Sequence, residues 1–282
     1  MDACANLTNA AFASDLGAIL TRATEAGLVG LVMPASSLDD DVRSLKARIE
    51  DSHDLWVATP LGVHPWCVEE LHGTDEMESL LAALSPSWVG EIGLDYSPAC
   101  PVPHQLQRAA FSRQLDYALA RNLPVYLHCR DAFDDMLPLL EDAAGRNGEP
   151  LAGILHCFTG NASQASAIID LGLHLGVTGH ILAAKGKKGR VFREILAGSV
   201  PLDRVVVETD APYLLPRFKG LASTAESYGS PNRNEPSFVV DIANALAPVY
   251  GVSPDDIASI TTQTSTRLFH PDQSPPDQSP PS

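Results

Sequence analysis

Residues 204–210 read Arg-Val-Val-Val-Glu-Thr-Asp, an apolar β-branched run that ends in polar side chains, and the fold follows from this pattern. Such a run is typical of a strand buried on both faces of a parallel sheet. Comparable runs occur at residues 2–6, 29–36, 55–64, 88–95, 123–128, 153–158 and 174–178. Their starts are 21 to 35 residues apart, about the length of one strand and one helix with their loops. The sequence therefore predicts eight parallel strands in an α/β TIM (β/α)8 barrel, with an open doubly wound sheet as the alternative.

Helix signals lie between these runs. Asp15 precedes an apolar-periodic stretch that stops at Gly27, and a second stretch, 105–121, ends before Asn122. A chain of 282 residues fits one barrel, so we predict a single domain over residues 1–270. Residues 271–282 read PDQSPPDQSPPS and predict a disordered tail, because none of these side chains can enter a core.

Composition limits the function. The chain has no apolar run of about 18 residues and no signal-peptide pattern, so we expect no membrane segment and a cytoplasmic protein, most simply a monomer. Five cysteines without a C-x-x-C pair argue against a disulfide framework. The net charge of −16 excludes a broad basic surface for nucleic acid. Any such binding must be local, for example at the five cations within residues 185–193.

Polar side chains follow the predicted strands where each strand ends. In a TIM barrel these positions carry the active site. They are His64 after the third strand, Glu91 and Asp95 in the fourth, His128 and Arg130 in the fifth, His156 in the sixth, and Glu208 and Asp210 in the eighth. Since the strands surround one axis, these side chains should face one pocket.

Glu91, His128, His156 and Asp210 are the predicted metal ligands. Mixed imidazole and carboxylate ligands suit a divalent cation, which offsets the cost of burying them. A cation that activates water indicates a hydrolase, with Asp210 as proton acceptor and Glu91 as a bridging ligand if two ions bind.

The neighbours of these ligands have predicted roles of their own. Asp95 and Glu208 are expected either to support the ligands from behind or to pair within their loops. Cys129 and Cys157 directly follow the two histidines and should point away from the site as packing residues.

Seven motifs resemble those of the TatD-related DNases, in chain order. They are DACANLT (2–8), GVHP (62–65), GEIGLD (90–95), HCRDA (128–132), HCFTG (156–160), ETDAPYLLPR (208–217) and NRNEP (232–236). The resemblance runs to about residue 269. It implies a TIM barrel of the metal-dependent hydrolase type and a metal-dependent deoxyribonuclease. Several studied members are 3′–5′ exonucleases on single strands, so the expected substrate is single-stranded DNA, or RNA, in repair or degradation.

The resemblance also implies roles for individual residues. Carried over by motif, Glu91, His128, His156 and Asp210 hold the metal, in agreement with the catalytic roles already predicted for Glu91 and Asp210. His64 and Arg130 are expected near the scissile phosphate. Arg233 and Asn234 are expected in a loop that either faces the substrate or braces the structure, and the forked donors of Arg suit phosphate.

The first strand departs from the pattern of many relatives. Their His-x-His pair is Cys4-Ala5-Asn6 in this chain, so two imidazole ligands are missing. This favours a hard, oxygen-preferring ion, Mg²⁺ before Mn²⁺ or Zn²⁺, and we expect Cys4 to pack rather than ligate. Trp66 replaces a second histidine of the GVHP motif, where it can either pack or stack a base.

Two other functions remain open from the sequence. The same barrel serves small-molecule amidohydrolases and phosphoesterases, because fold does not fix substrate. A non-catalytic homologue is the third reading. The negative net charge favours a small-molecule enzyme, the terminal motifs favour the nuclease, and the four retained ligands argue against loss of catalysis.

Overall fold

The computed structural model describes residues 1–37, 41–70, 74–216 and 233–270. The strands are β1 (Gly30–Val32), β2 (Trp56–Ala58), β3 (Val89–Asp95), β4 (Val125–Arg130), β5 (Gly153–Leu155), β6 (His174–Thr178) and β7 (Val205–Glu208). The helices are α1 (Leu16–Glu25), α2 (Val42–Ser52), α3 (Thr74–Leu84), α4 (His104–Leu119), α5 (Phe133–Asn147), α6 (Ala162–Asp170), α7 (Gly179–Ala183), α8 (Gly186–Ser199), α9 (Val239–Tyr250) and α10 (Pro254–Phe269).

The strands form a closed parallel barrel. β3 to β7 pair in sequence order, β1 pairs with β2, and a bridge between Leu61 and Val89 joins the two groups. Residues 2–5 close the ring through bridges from Asp2 to Leu31 and from Ala5 to Ala211. The predicted TIM barrel is confirmed. The first predicted strand is an irregular bridging segment, consistent with its weak strand formers.

The Asp2 carboxylate fastens the seam between this segment and β7. It accepts hydrogen bonds from the backbone N–H of Thr209 at 2.8 Å, from the Thr209 hydroxyl at 2.6 Å and from the backbone N–H of Cys4 at 3.2 Å. In return, the Cys4 carbonyl accepts from the backbone N–H of Asp210 at 2.9 Å. Asp2 is fully buried, so these contacts replace water at the seam.

Two apolar layers follow from the alternation of side chains along each strand. Tyr126, Ile154 and Val206 pack inside the barrel. The stacked rings of Trp88 and Phe269, 4.4 Å apart, fill the end at which the strands begin. The residues between them in sequence, for example Leu127, Leu155 and Val207, pack against the helices. The inner layer leaves the opposite end of the barrel for polar side chains.

Gly93 allows β3 and β4 to approach closely. Its φ is +151°, and a Cβ at this position would lie 1.9 Å from the carbonyl oxygen of His128. Only glycine tolerates this combination of conformation and space. The close pairing fixes the position of His128 along the barrel axis relative to Glu91 in the neighbouring strand.

Several boundaries differ from the sequence prediction. Four predicted strands extend two or more residues past the observed ends, because the chain leaves the sheet where the polar loops begin. α1 begins after Asp15 and ends before Gly27, as predicted, and α4 starts and ends within two residues of the predicted stretch. The predicted tail, 271–282, and residues 217–232, which include the last residue of ETDAPYLLPR and the first of NRNEP, lie outside the described residues. In the described part, no helix is both long and apolar enough to cross a membrane.

Candidate active site and metal centre

The four predicted metal ligands lie at the carboxyl ends of the barrel strands. Glu91 belongs to β3 and His128 to β4, while His156 and Asp210 follow β5 and β7. Side chains two residues apart on a strand point the same way, so His128 lies beyond the buried Tyr126. The site is therefore the polar end of the inner layer.

The Glu91 carboxylate is the centre of this site. Its Oε1 lies 2.8 Å from His156 Nε2, 2.9 Å from His128 Nδ1 and 3.6 Å from His64 Nε2. Glu91 is buried, and His128 Nδ1 and His156 Nε2 are 3.2 Å apart. Three imidazoles around one buried carboxylate oxygen fit a divalent cation, since buried ionisable groups need a partner or an ion.

Asp210 lies beside the segment that closes the barrel. Its Oδ1 accepts a hydrogen bond from Asn6 Nδ2 at 3.1 Å and faces the Cys4 thiol at 3.7 Å. Among the described residues, two sets of three donors have all their ligand atoms within 4.8 Å of one another: His64 with Glu91 and His128, and Cys4 with His156 and Asp210. The predicted ligands therefore divide between two neighbouring positions.

Asp95 and Glu208 support the histidines from behind, as expected. Asp95 Oδ2 lies 3.3 Å from His128 Nε2. Glu208 accepts a hydrogen bond from the backbone N–H of Cys157, and its Oε1 lies 3.8 Å from His156 Nδ1. A carboxylate on the far nitrogen of a ligating histidine fixes the ring and increases its basicity.

Protons balance the charges of the metal-free site. Burial opposes charge on His156, but the Glu91 carboxylate outweighs it and raises the His156 pKa to about 10. Burial also opposes charge on His128, and hydrogen bonds to Asp95 and Glu91 raise its pKa. Burial acts against the charge of Glu91, yet His156 and His64 hold its pKa well below the usual range. A cation that binds here must displace these protons.

The other side chains of the site are shifted mainly by burial. Burial lowers the pKa of His64 to about 3, so His64 is neutral, the form in which histidine binds metals. Burial raises the pKa of Asp210, and it raises that of Glu208 to about 8. A carboxyl with a raised pKa is a better proton acceptor, as the role predicted for Asp210 requires.

Three loops at this end of the barrel contain strained backbone. Asp131, Cys157 and Asp210 have φ values of 54°, 47° and 58°, in the left-handed region that non-glycine residues rarely adopt. Each follows a strand closely. Such conformations concentrate at functional sites, where the surrounding structure holds them in place.

Arg130, which was expected near the scissile phosphate, and Trp66, which was left open between packing and stacking, lie at the rim of the site. Arg130 ends β4 and is exposed. Trp66 is 41% exposed, and its Nε1 donates to Asp95 Oδ2 at 2.8 Å. Because part of the indole is exposed, a base can reach it, and this favours stacking over packing as the role of Trp66.

Arg233 and Asn234 are engaged by the protein itself. The Arg233 guanidinium donates to Asp15 at 2.7 and 2.8 Å and to Glu235 at 3.0 Å. Asn234 is fully buried, and its amide donates to the carbonyls of Thr209 at 2.7 Å and Tyr213 at 2.8 Å. These contacts favour the bracing role that the sequence left open for the loop.

The two cysteines that follow the histidines differ from each other. Cys129 is buried in the layer between strands and helices, as expected. Cys157 instead lies near the site, with its Sγ 4.0 Å from the Thr178 hydroxyl. Its positive φ turns the chain out of the strand, so the alternation rule does not extend to it.

A groove of about 720 Å³ opens beside the site, between the loops after β4 and β5 and the start of α8. Its walls include Asp131, Thr159, Lys187 and Lys188. Within the predicted basic patch, Arg193 donates to the Leu182 carbonyl at 2.7 Å, so it serves the fold. The exposed pair Lys187 and Lys188 is the part of the patch that faces the groove.

Two contacts of the site were not predicted from the sequence. Asn6 holds Asp210, and Gln107 in α4 accepts from the backbone N–H of Asp95 at 2.8 Å. Cys4 and Asn6 are two residues apart in an extended segment, so both were candidates to face the site. No comparable signal marks Gln107, because its role depends on how α4 packs on β3.

Comparison with known proteins matches the whole barrel. A family model described as TatD related DNase matches residues 1–270. A curated relative from Salmonella typhimurium, named 3′-5′ ssDNA/RNA exonuclease TatD, is 33% identical over 267 residues, covering 94% of this chain and 96% of the relative. The relative of the same name from a Rahnella species is 35% identical over 273 residues, with 94% and 95% coverage.

Solved structures agree with the fold. A TatD family hydrolase from Entamoeba histolytica has a TM-score of 0.80 at 25% identity and covers 96% of this chain and 97% of its own. A TatD homologue from Escherichia coli has a TM-score of 0.77 at 28% identity, with 95% and 96% coverage.

Proposed function

Because this chain belongs to the TatD-related DNase family, we propose that it is a metal-dependent exonuclease that hydrolyses phosphodiester bonds of single-stranded DNA or RNA from the 3′ end. The observation that carries the proposal is the convergence of His64, His128 and His156 on Glu91 at the open end of the barrel. A role in DNA repair or degradation is compatible with this activity.

Glu91, His128, His156 and Asp210 are the proposed metal ligands, with His64 beside Glu91. When bound there, a divalent cation polarises the phosphoryl group and lowers the pKa of a water molecule. Glu91 orients the histidines, and Asp95 fixes the ring of His128. Asp210 accepts the proton of the attacking water, because burial makes it a stronger base than a surface carboxylate.

The identity of the ion is a separate proposal. The missing His-x-His pair predicted Mg²⁺, which prefers oxygen ligands. In the group of His64, Glu91 and His128, however, the donors are two imidazoles and one carboxylate, a set that suits Mn²⁺ or Zn²⁺ better. We therefore expect activity with Mn²⁺ or Zn²⁺ at lower concentration than with Mg²⁺.

The proposed contacts with the substrate are made by residues at the rim of the site. We propose that Arg130 neutralises a phosphate and that Trp66 stacks the terminal base, where stacking contributes about 1–3 kcal/mol. Lys187 and Lys188 extend a local positive surface along the groove. Local cations suffice on an acidic protein if only a few phosphates are bound. We assign Arg233 a bracing role.

We propose one barrel domain over residues 1–270, a monomer and a cytoplasmic location. Limited proteolysis, sedimentation and cell fractionation test these points individually.

The decisive experiment uses single-stranded DNA labelled at either end, incubated with Mg²⁺, Mn²⁺, Zn²⁺ or a chelator. We expect metal-dependent shortening from the 3′ end, lost in His128→Ala and kept in His53→Ala, a histidine variant far from the site. Shortening from the 5′ end would overturn the polarity. No cleavage of DNA or RNA with any ion, together with hydrolysis of a small phosphodiester, would favour the phosphoesterase alternative.

A further inference from the structure

Cys4 occupies an unusual place for a packing residue. It lies in the segment that closes the barrel, is fully buried, and belongs to the inner apolar layer. Its thiol nevertheless faces Asp210 Oδ1 at 3.7 Å, and donor atoms of Cys4, His156 and Asp210 all lie within 4.8 Å of one another. A sulfur, a nitrogen and an oxygen donor thus lie close enough together to bind one ion.

The backbone holds the Cys4 side chain in this position from both sides. The Cys4 N–H donates to Asp2 Oδ1 at 3.2 Å. The Cys4 carbonyl accepts from the Asp210 N–H at 2.9 Å and from the Thr209 hydroxyl at 3.2 Å. Since Cys4 and Asp210 are linked directly through the backbone, the distance between their side chains is set by the barrel and not by a mobile loop.

The surroundings of Cys4 are ionisable as well as apolar. His156 Nε2 lies 2.8 Å from Glu91 Oε1, and its Nδ1 faces Glu208 Oε1 at 3.8 Å on the other side of the ring. The half-buried Asp210 and the fully buried Glu208 both lie near the thiol. Ionisable groups gathered in a buried place need a partner or an ion, and a cation held by the three donors supplies the compensating charge.

We propose that Cys4 is a thiolate ligand of a second cation position, shared with His156 and Asp210, and that this position takes a thiophilic ion such as Zn²⁺ or Cd²⁺ rather than Mg²⁺. Thiolate and imidazole ligands select these softer ions. The thiol proton leaves when the ion binds. The proposal rests on the proposed function only in that both place ions in the same pocket. Having Cys4-Ala5-Asn6 where many relatives have His-x-His then changes which ion the second position binds, and the position itself is kept.

Cadmium titration followed by ultraviolet absorption tests the thiolate directly. We expect a sulfur-to-metal charge-transfer band in the wild-type protein that Cys129→Ala and Cys157→Ala retain and Cys4→Ala loses. Equilibrium dialysis should give two ions per chain in the wild type and one in Cys4→Ala, a drop in affinity at the second position of at least about 100-fold. Cys4→His should bind two ions without the band.

A measurement on the unaltered chain covers the case in which Cys4 variants fail to fold. Zinc-edge X-ray absorption of the loaded wild type should show a Zn–S distance of about 2.3 Å. No such distance, or a band that persists in Cys4→Ala, overturns the proposal. Failure of the nuclease test with the thiolate band present would instead overturn the proposed function alone.

Discussion

Replacing Asp2 tests how the barrel is closed. In Asp2→Ala the buried backbone N–H groups of Cys4 and Thr209 lose their acceptor, whereas the Thr209 hydroxyl keeps the Cys4 carbonyl as a partner. Each unsatisfied buried donor costs about 1–3 kcal/mol. Removing a carboxyl whose burial is unfavourable offsets part of this loss, since burial raises the Asp2 pKa to about 7. We therefore expect a loss of about 2–4 kcal/mol in the free energy of unfolding.

Asp2→Asn is the matched control. Its amide oxygen can accept from both backbone N–H groups, and its amide nitrogen can donate to the Thr209 hydroxyl, so we expect a loss under about 1 kcal/mol. The assay is urea unfolding of the metal-free proteins, followed by circular dichroism. The reasoning is refuted if Asp2→Ala lies within about 0.5 kcal/mol of the wild type, or if the two variants are equally unstable.

The pH dependence of this pair has a definite sign. Burial raises the folded-state pKa of Asp2 to about 7, above its ordinary value, so its contribution to stability is full below about pH 4 and is lost as the pH rises through 7. Asp2→Asn carries no such titration. The wild type should therefore lose stability relative to Asp2→Asn between pH 5 and pH 8, and parallel stability curves would contradict the shift.

Three further predictions concern the site and its supports. Gly93→Ala should unfold or lose metal binding, because its Cβ meets the His128 carbonyl, whereas Gly145→Ala on the exposed face of α5 should gain up to about 1 kcal/mol in urea unfolding. Asp95→Asn should weaken metal binding by about 10–100-fold in calorimetry without loss of fold, since Asp95 orients His128 and the amide oxygen of Asn can still accept the hydrogen bonds from Trp66 and Ser97. Metal affinity should fall about tenfold per pH unit for each proton displaced as the pH falls below the His156 pKa of about 10, measured as proton release in buffers of different ionisation enthalpy.

The outcomes that contradict these predictions are also specific. Equal stabilities of the Gly93 and Gly145 variants would mean that the two strands move apart freely. An Asp95→Asn variant with wild-type affinity would remove its orienting role. A pH-independent affinity would show that the histidines of the metal-free site do not carry protons.

The barrel and the convergence of the ligands could be predicted, because the sequence shows where side chains alternate along a strand and where polar residues follow its end. Glu91, His128 and His156 converge as expected, since each lies on or just past a strand. The same logic failed where the chain leaves the sheet. Cys157 departs from its expected direction through a positive φ, which no periodicity reveals.

Contacts between distant segments were the other limit. The sequence left the loop at Arg233 open between substrate and brace, and the choice depends on Asp15, 218 residues away. Likewise, Cys4 packs in the inner layer as expected, but its contact with Asp210 could not be predicted, because the distance between the two residues is fixed only when the ring closes. Such contacts are set by tertiary structure, so local patterns carry little information about them.

Closure of the ring also sets an order of events during synthesis. Cys4 and Asp210 are 206 residues apart, and the first segment pairs with residues on both sides of the seam. A ribosome therefore releases the amino terminus long before its partner in β7 exists, at about 5–20 residues per second. Synthesis of the 206 residues between them takes about ten seconds or more at that rate. During this time the early strands have no completed ring, and Cys4 is a free thiol accessible to ions and oxidants in the cell. Assembly of the metal centre is thus one of the last steps of folding, and a chain truncated before residue 210 has neither a closed barrel nor a complete site.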